Sequence, residues 1–137
     1  MYKTIMIPVD LAHQERLDKA LATGADLAKL YGSSLHVVGV TGTAPGSVAH
    51  TPEEYAGKLT AFAEAQSQSR GVAFRPLIEI AHDPAIDLDE ALEKACKEIG
   101  ADLVVMASHV PGFGDHFRSS NAGYLSAHSS ISVFVVR

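Results

Sequence analysis

Residues 4–10 carry the stretch TIMIPVD, a continuous apolar run that ends in the carboxylate of Asp10. An apolar run without alternation is typical of a strand that is buried on both faces of a parallel sheet. Over residues 14–31 the apolar side chains recur every three or four positions, which predicts a helix, and Gly32 is a typical helix stop. The chain therefore begins with a strand and a helix, the unit from which parallel α/β sheets are built.

The same alternation continues along the rest of the chain. Each further predicted strand is a short, mainly apolar run: residues 35–40, 72–81, 102–107 and 133–136. Each further predicted helix has apolar residues at helical spacing: one that begins at the Thr51–Pro52 cap and carries Tyr55, Leu59 and Phe62, one over residues 88–99, and one over residues 119–128. The loops at residues 41–50 and 108–116 are rich in Gly, Pro and small polar residues.

A proline supports one order of the strands, in which the first strand is central and the chain winds outward to the second and third strands before it returns to the fourth and fifth. Pro76 has no N–H to donate, so it places the third strand at an edge of the sheet. With right-handed crossovers and helices on both faces, we expect a Rossmann-like open parallel sheet of five strands in the order 3-2-1-4-5. Such sheets bind ligands beyond the carboxyl ends of the strands, where the winding reverses. The loops after Val9 and Met106 are therefore predicted to face each other across one crevice between strands 1 and 4.

Composition narrows the class of protein. The chain has 137 residues, 47% of them hydrophobic, and a formal net charge of −5, so we expect a single globular domain over residues 1–137. Lys and Arg form no stripe, which argues against nucleic acid as a partner, and no apolar window is long enough for membrane insertion. The apolar run at the start ends at Asp10 without the plan of a signal peptide, so a cytoplasmic protein is expected. The lone Cys96 lies on the apolar stripe of the third helix, where a buried thiol is expected.

No pattern in the sequence predicts catalysis, and we assign no catalytic residue. Ser108, Ser119 and Ser120 are not embedded in a Gly-x-Ser-x-Gly elbow, and no paired carboxylates suggest acid–base work. His116 and His128 lack the spacing of a zinc motif. Asp10 has two open interpretations, a ligand contact in the crevice or a cap for the first helix.

Three segments resemble the universal stress protein family: residues 2–10 (YKTIMIPVD), residues 100–109 (GADLVVMASH), and the tail from SSNA at 119–122 to VFVVR at 133–137. The resemblance covers nearly the whole chain in the order of the family. It implies a 3-2-1-4-5 fold, a dimer, a role in the stress response, and a bound ATP or another adenine nucleotide with Mg²⁺.

The resemblance also implies which residues hold the nucleotide. Pro8, Val9 and Asp10 would lie at the end of the first strand, with the Asp10 carboxylate near the ribose, the phosphates and a nucleotide-bound Mg²⁺. Val40 would offer backbone groups to the adenine edge. The phosphate side would be formed by two segments: Met106, Ala107, Ser108, His109 and Val110, and then Ser119, Ser120 and Asn121.

The phosphate segment departs from the family pattern of Gly, two residues, Gly, nine residues, Gly and then Ser or Thr. Ala107, Val110 and Ser119 stand where the family has glycine, and the loop is one residue shorter. A β-branched residue such as Val110 rarely adopts positive φ, so we expect this loop to take a different path. Ser120 keeps the final hydroxyl. His109 has two open interpretations, a phosphate donor and an exposed loop histidine.

The predicted fifth strand has one charged neighbour, Arg137, and no proline. As an edge strand it would expose unpaired N–H and C=O groups, so another element or chain is expected to cover it. Two copies related by a two-fold axis would provide that cover. We therefore expect a homodimer whose interface contains Val133, Phe134, Val135 and Val136.

Three functions are compatible with these patterns. The first is a regulatory dimer that binds an adenine nucleotide, ATP, ADP or AMP. The second is an interaction protein of the same fold that binds no nucleotide and regulates a client protein such as a transporter. The third, a slow ATPase, would need a general base and metal ligands in addition to Asp10.

Overall fold

Five strands and four helices alternate along the chain in the computed structural model, which describes residues 1–84, 86–108 and 119–137. The strands are β1 (Thr4–Pro8), β2 (Ser34–Thr41), β3 (Phe74–Ile80), β4 (Leu103–Ala107) and β5 (Ser132–Val136). The helices are α1 (Asp18–Tyr31), α2 (Pro52–Arg70), α3 (Leu88–Ile99) and α4 (Ser119–His128). The predicted strands therefore all form, with ends that differ by one or two residues.

The five strands form one parallel sheet in the order β3-β2-β1-β4-β5, which confirms the prediction. The central strand is β1, where Met6 is in register with His36 of β2 on one side and Val104 of β4 on the other. Pro76 lies in β3 opposite Val37, and β3 is the edge strand that its missing N–H predicts. Because all five strands are parallel, their carboxyl ends lie along the same side of the sheet.

Each face of the sheet has its own core, because successive side chains of a strand point to opposite faces. Ile5 and Ile7 pack in the core that α1 and α2 cover, whereas Met6 packs in the core that α3 and α4 cover. Leu59 of α2 and Leu92 of α3 are fully buried, and burying a leucine stabilises a fold by about 2 kcal/mol. The two cores hold the sheet between layers of helices.

Cys96 is buried in the second core, as its place on the helix stripe predicts. Its Sγ lies 3.7 Å from the Sδ of Met6. Burial raises the pKa of the thiol to about 11, and the negative charge of Glu93 adds to that effect. A thiol that stays protonated and enclosed is an inert packing group.

The first helix begins later than the sequence predicts. The predicted start at residue 14 is wrong, because residues Leu11–Arg16 form a 3₁₀ segment and α1 begins at Asp18. The break is at His13, whose φ of −138° and ψ of 52° are not helical. At the other end, Gly32 takes a φ of +66° and closes α1, which confirms the predicted stop.

Candidate functional site

A cavity of about 510 Å³ opens at the carboxyl ends of β1, β2 and β3. Val9 follows β1, and Val40 and Thr41 end β2, so these residues form its floor. The loop of residues 42–49 covers the floor, and the remaining walls come from the turn after Val9, from α2 and from residues 82–84. The volume lies in the range of about 300–1,000 Å³ that is typical of small-molecule pockets.

The start of α2 anchors the covering loop. Thr51 caps the helix by accepting a hydrogen bond from the N–H of Glu54 at 3.1 Å, and the Glu54 carboxylate accepts one from the N–H of His50, also at 3.1 Å. The N–H of His50 is the main reason that the pKa of Glu54 is lowered. The Lys58 ammonium adds a hydrogen bond to the carbonyl of Val48. The loop is therefore tied to a helix at its far end.

Asp10 lies on the wall of the pocket, and its carboxylate organises the turn that follows β1. One oxygen accepts a hydrogen bond from the N–H of Ala12 at 3.0 Å, so Asp10 caps the 3₁₀ segment Leu11–Arg16 and not α1, which begins after Leu17 without a side-chain cap. The other oxygen lies 2.8 Å from Nδ1 of His13. A carboxylate has about four acceptor positions, so Asp10 can also accept from a ligand hydroxyl.

Tyr55 brings a phenol to the pocket from α2. Its side chain is 5% exposed, and its ring packs against β2 at Gly39, where a Cβ would lie 2.4 Å from the hydroxyl oxygen. Burial raises the pKa of Tyr55, and the negative charge of Asp10 raises it further. The phenol is therefore protonated at neutral pH and can donate a hydrogen bond.

The last wall of the pocket is the turn after β3. The Asp83 carbonyl accepts hydrogen bonds from the N–H groups of Ile86 and Asp87 at 3.0 and 2.8 Å, which hold this segment in a turn. A Cβ on Gly42 would lie 3.3 Å from Pro84, so the covering loop and this turn approach each other closely. The described lining contains the carboxylates of Asp10 and Asp83 and no Lys or Arg.

The pocket unites three of the residues that the sequence predicts for the site, Val9, Asp10 and Val40. Other predicted residues lie elsewhere in the described structure. Pro8 is a buried part of β1, and Met106 packs in the core under α3 and α4. Ala107 and Ser108 are half-buried at the end of β4, where the Ser108 N–H donates to the Val136 carbonyl at 2.7 Å.

The phosphate side of the predicted site is only partly described. His109 and Val110 lie outside the described residues, as do the side chains of Ser119, Ser120 and Asn121. The backbone of Ser119, Ser120 and Asn121 forms the first turn of α4, as the sequence predicts. The crevice between β1 and β4, and the path of the loop at Val110, stay predictions.

Sequence reasoning missed several residues of the pocket. Tyr55 was assigned only to the apolar stripe of α2, because an aromatic residue at helical spacing is the ordinary signal for a core position. Composition predicts a loop over residues 41–50 but gives no sign that this loop covers the ends of the strands. The one available signal was the Thr51–Glu54 capping pair, which fixes where that loop ends.

Two classes of site are absent from the described residues. Across residues 1–84, 86–108 and 119–137, no three His, Cys, Asp or Glu side chains are grouped so that they could hold a metal ion. Asp10 by itself is therefore not a metal site, and the predicted Mg²⁺ contact would need phosphate oxygens from the ligand. None of the helices in these ranges is both long and apolar enough to span a bilayer.

The whole chain, residues 1–137, matches the sequence model of the Universal stress protein family. The chain belongs to this family. Among curated proteins it is similar to Universal stress protein G of Escherichia coli O157:H7, with 29% identity over 146 residues and complete coverage of both chains. The universal stress protein fold thus accounts for the sheet order as well as for the three sequence segments.

Solved structures of other universal stress proteins have the same fold. A family member from Burkholderia pseudomallei is 26% identical with a TM-score of 0.68, and the match covers 98% of this chain and 96% of that one. The Archaeoglobus fulgidus protein in complex with dAMP is 21% identical with a TM-score of 0.63, covering 99% and 98%. An Arabidopsis thaliana family member with AMP bound is 13% identical with a TM-score of 0.57, covering 98% and 90%.

Proposed function

We propose that this universal stress protein is a regulatory module that binds an adenine nucleotide in the pocket at the carboxyl ends of β1 and β2. The observation that carries the proposal is the cavity of about 510 Å³ at this edge, which unites Val9, Asp10 and Val40. Relatives of the same fold hold dAMP and AMP in their structures, which supports this class of ligand.

The chemistry of the described lining suits the nucleoside half of the ligand. Val9, Val40 and Val48 offer apolar surface to a planar base, and Asp10 offers acceptors to the hydroxyl groups of a ribose. The described lining has no Lys or Arg, so it holds no permanent cation for a phosphate. The base and the sugar are therefore assigned to this pocket.

The phosphates are assigned to the first turn of α4. This helix connects β4 to β5, so it begins at the same edge of the sheet as the pocket. The N-terminus of a helix presents unpaired N–H groups and a positive dipole end, which together suit an anion. An acidic chain can hold a nucleotide in this way without a cluster of cationic side chains.

A regulatory role is proposed in preference to catalysis. The lining holds two histidines, His13 and His82; His13 pairs with the Asp10 carboxylate, and we assign the work of a general base to neither. Hydrolysis of a bound ATP would therefore be slow. Steady-state phosphate release well above background, abolished by Asp10→Ala, would revive the ATPase interpretation.

We also propose a homodimer in which β5 of one copy meets β5 of another. β5 is the last strand of the sheet order, and Phe134 and Val135 are 46% and 41% exposed. An apolar edge strand with this exposure is a template for pairing, and a two-fold axis covers both copies at once.

Isothermal titration calorimetry with AMP, and with ATP in the presence of Mg²⁺, tests the nucleotide proposal, together with native mass spectrometry for a co-purified nucleotide. We expect saturable binding of AMP and a roughly tenfold loss of affinity in Asp10→Asn, because one charged acceptor is lost. Asp26→Asn, on the exposed face of α1, is the matched control and should bind as the wild type does. Flat titrations with both nucleotides would favour the alternative, an interaction protein that acts on a client without a nucleotide.

A further inference from the structure

The Tyr55 hydroxyl is a polar group with no partner in the described structure. None of the hydrogen bonds between described residues uses it, although the residue is 95% buried. Among the described residues, the enclosed side-chain atoms without a partner are Glu79 Oε1 and Asp89 Oδ1, so the Tyr55 oxygen is open to the pocket, where water or a ligand can pair with it. Because Tyr55 lines the pocket, a bound ligand is the natural partner.

The position of the ring depends on Gly39. A Cβ at this position would lie 2.4 Å from Oη and 2.8 Å from Cε1 of Tyr55, closer than real atoms approach. Only glycine therefore lets the phenol lie against the end of β2, one residue before Val40. This packing places the Tyr55 hydroxyl, on a side chain of α2, beside β2 at the pocket.

Two groups with different hydrogen-bonding character line this pocket. The ionised Asp10 carboxylate accepts hydrogen bonds and donates none, whereas the phenol of Tyr55 is a donor. Burial raises the pKa of Tyr55 and the charge of Asp10 raises it further, so the phenol keeps its proton. A hydroxyl group on a ligand satisfies both at once, since it accepts from one partner while it donates to the other.

We propose that Tyr55 is a ligand-contacting residue whose hydroxyl donates a hydrogen bond to a ribose hydroxyl, and that the same ribose hydroxyl donates to Asp10. Gly39 is the positioning residue that makes room for the ring. This inference rests on the proposed function and deepens it, because it makes the pocket selective for nucleotides that keep a hydroxyl on C2′ or C3′.

The test compares AMP with 2′,3′-dideoxy-AMP on the wild type and on Tyr55→Phe by calorimetry. For AMP, Tyr55→Phe should lower the affinity about 3- to 10-fold, the loss of one hydrogen bond. For the dideoxy compound, wild type and variant should bind alike, since the partner of the phenol is missing. Single 2′- and 3′-deoxy-AMP then identify which hydroxyl is used.

Two further variants complete the design. Tyr31→Phe is the matched control, because Tyr31 ends α1 at the opposite edge of the sheet and packs edge-on against Tyr2. It should bind AMP as the wild type does. Gly39→Ala moves the hydroxyl without removing it and should weaken AMP more than the dideoxy compound.

The outcomes separate the two proposals. If the wild type binds AMP and Tyr55→Phe binds it equally well, the inference about Tyr55 is overturned and the nucleotide pocket stands. An equal loss for AMP and dideoxy-AMP would also overturn it, since the phenol would then act on the base or on packing. If the wild type binds neither AMP nor ATP with Mg²⁺, both proposals fail.

Discussion

Replacing Gly39 with alanine should destabilise this universal stress protein by forcing Tyr55 out of its place. The new Cβ would lie 2.4 Å from Oη, 2.8 Å from Cε1 and 3.0 Å from Cζ of Tyr55, and ordinary contact begins at 3.4 Å. The hydroxyl would thus have to retreat by about 1 Å. Rotation about χ2 moves neither Cζ nor Oη, because both lie on its axis, so the whole ring must swing about χ1 or move together with the backbone of α2.

The cost follows from what surrounds the ring. Tyr55 belongs to the same core as Leu59 and Phe62, the other buried large side chains of α2, so the helix cannot move away freely. Overpacking of this kind costs about 1–3 kcal/mol. For a chain of this size that corresponds to a fall in the melting temperature of roughly 4–10 °C.

Thermal and urea unfolding followed by far-ultraviolet circular dichroism measure this cost. Gly57→Ala is the matched control, because a Cβ at Gly57 in α2 meets nothing within 4 Å. The same chemical change there should stabilise the protein by about 0.5–1 kcal/mol through helix propensity. The reasoning is refuted if Gly39→Ala unfolds at or above the wild-type temperature, or if adding Tyr55→Leu to it recovers none of the loss.

Three more outcomes test the packing, the sheet and the assembly. Leu59→Ala should cost about 3–4 kcal/mol in urea unfolding, because the side chain is fully buried, and a loss below 1 kcal/mol would contradict the assigned core. Asp102→Ala should cost about 2 kcal/mol at neutral pH, because its carboxylate accepts hydrogen bonds from the N–H groups of Lys3 and Thr4 at 2.9 and 3.0 Å. Partial burial by itself raises the pKa of Asp102, but those N–H groups outweigh it and lower the pKa. The stabilisation is therefore present at neutral pH and disappears as the pH falls through the folded-state pKa. A stability difference between wild type and Asp102→Ala that grows in acid would contradict this reasoning. Phe134→Glu should convert the proposed dimer to a monomer of 14.5 kDa in light scattering after size-exclusion chromatography, and an unchanged dimer mass would place the interface elsewhere.

The sheet could be predicted from the sequence because each step depends on local patterns. A strand buried on both faces has a continuous apolar run, and residues 4–9 show one. Pro76 then reduces the possible strand orders, since a residue without an N–H belongs at an edge. The start of α1 could not be predicted in the same way. At the break, the Asp10 carboxylate accepts hydrogen bonds from the N–H of Ala12 and from the ring of His13. The spacing of apolar residues carries no information about such polar contacts.

The pocket could be predicted only in part, because some of its residues are placed by contacts between positions that are far apart in the sequence. The place of Val9 and Asp10 follows from topology, since ligands bind where the winding of a parallel sheet reverses, whereas Val40 comes only from the resemblance to the universal stress proteins. The role of Tyr55 depends on the missing side chain of Gly39, on a different element of the fold. A tyrosine with a core-like spacing has the same sequence pattern whether its hydroxyl meets solvent, protein or a ligand. Only the three-dimensional structure places that hydroxyl at the pocket.

Under the proposed function, the nucleoside and the phosphates of the ligand bind to different parts of the site, which explains how a chain with a net charge of −5 can bind an anionic ligand. The described lining carries Asp10 and Asp83, which repel phosphate but match the hydroxyl groups of a ribose. Specificity would then come from the base and the sugar, whose partners are fixed by the capped loop, by Gly39 and by the turn at Asp10. The phosphates would lie toward backbone N–H groups of α4, which attract an anion through partial charges rather than through cationic side chains.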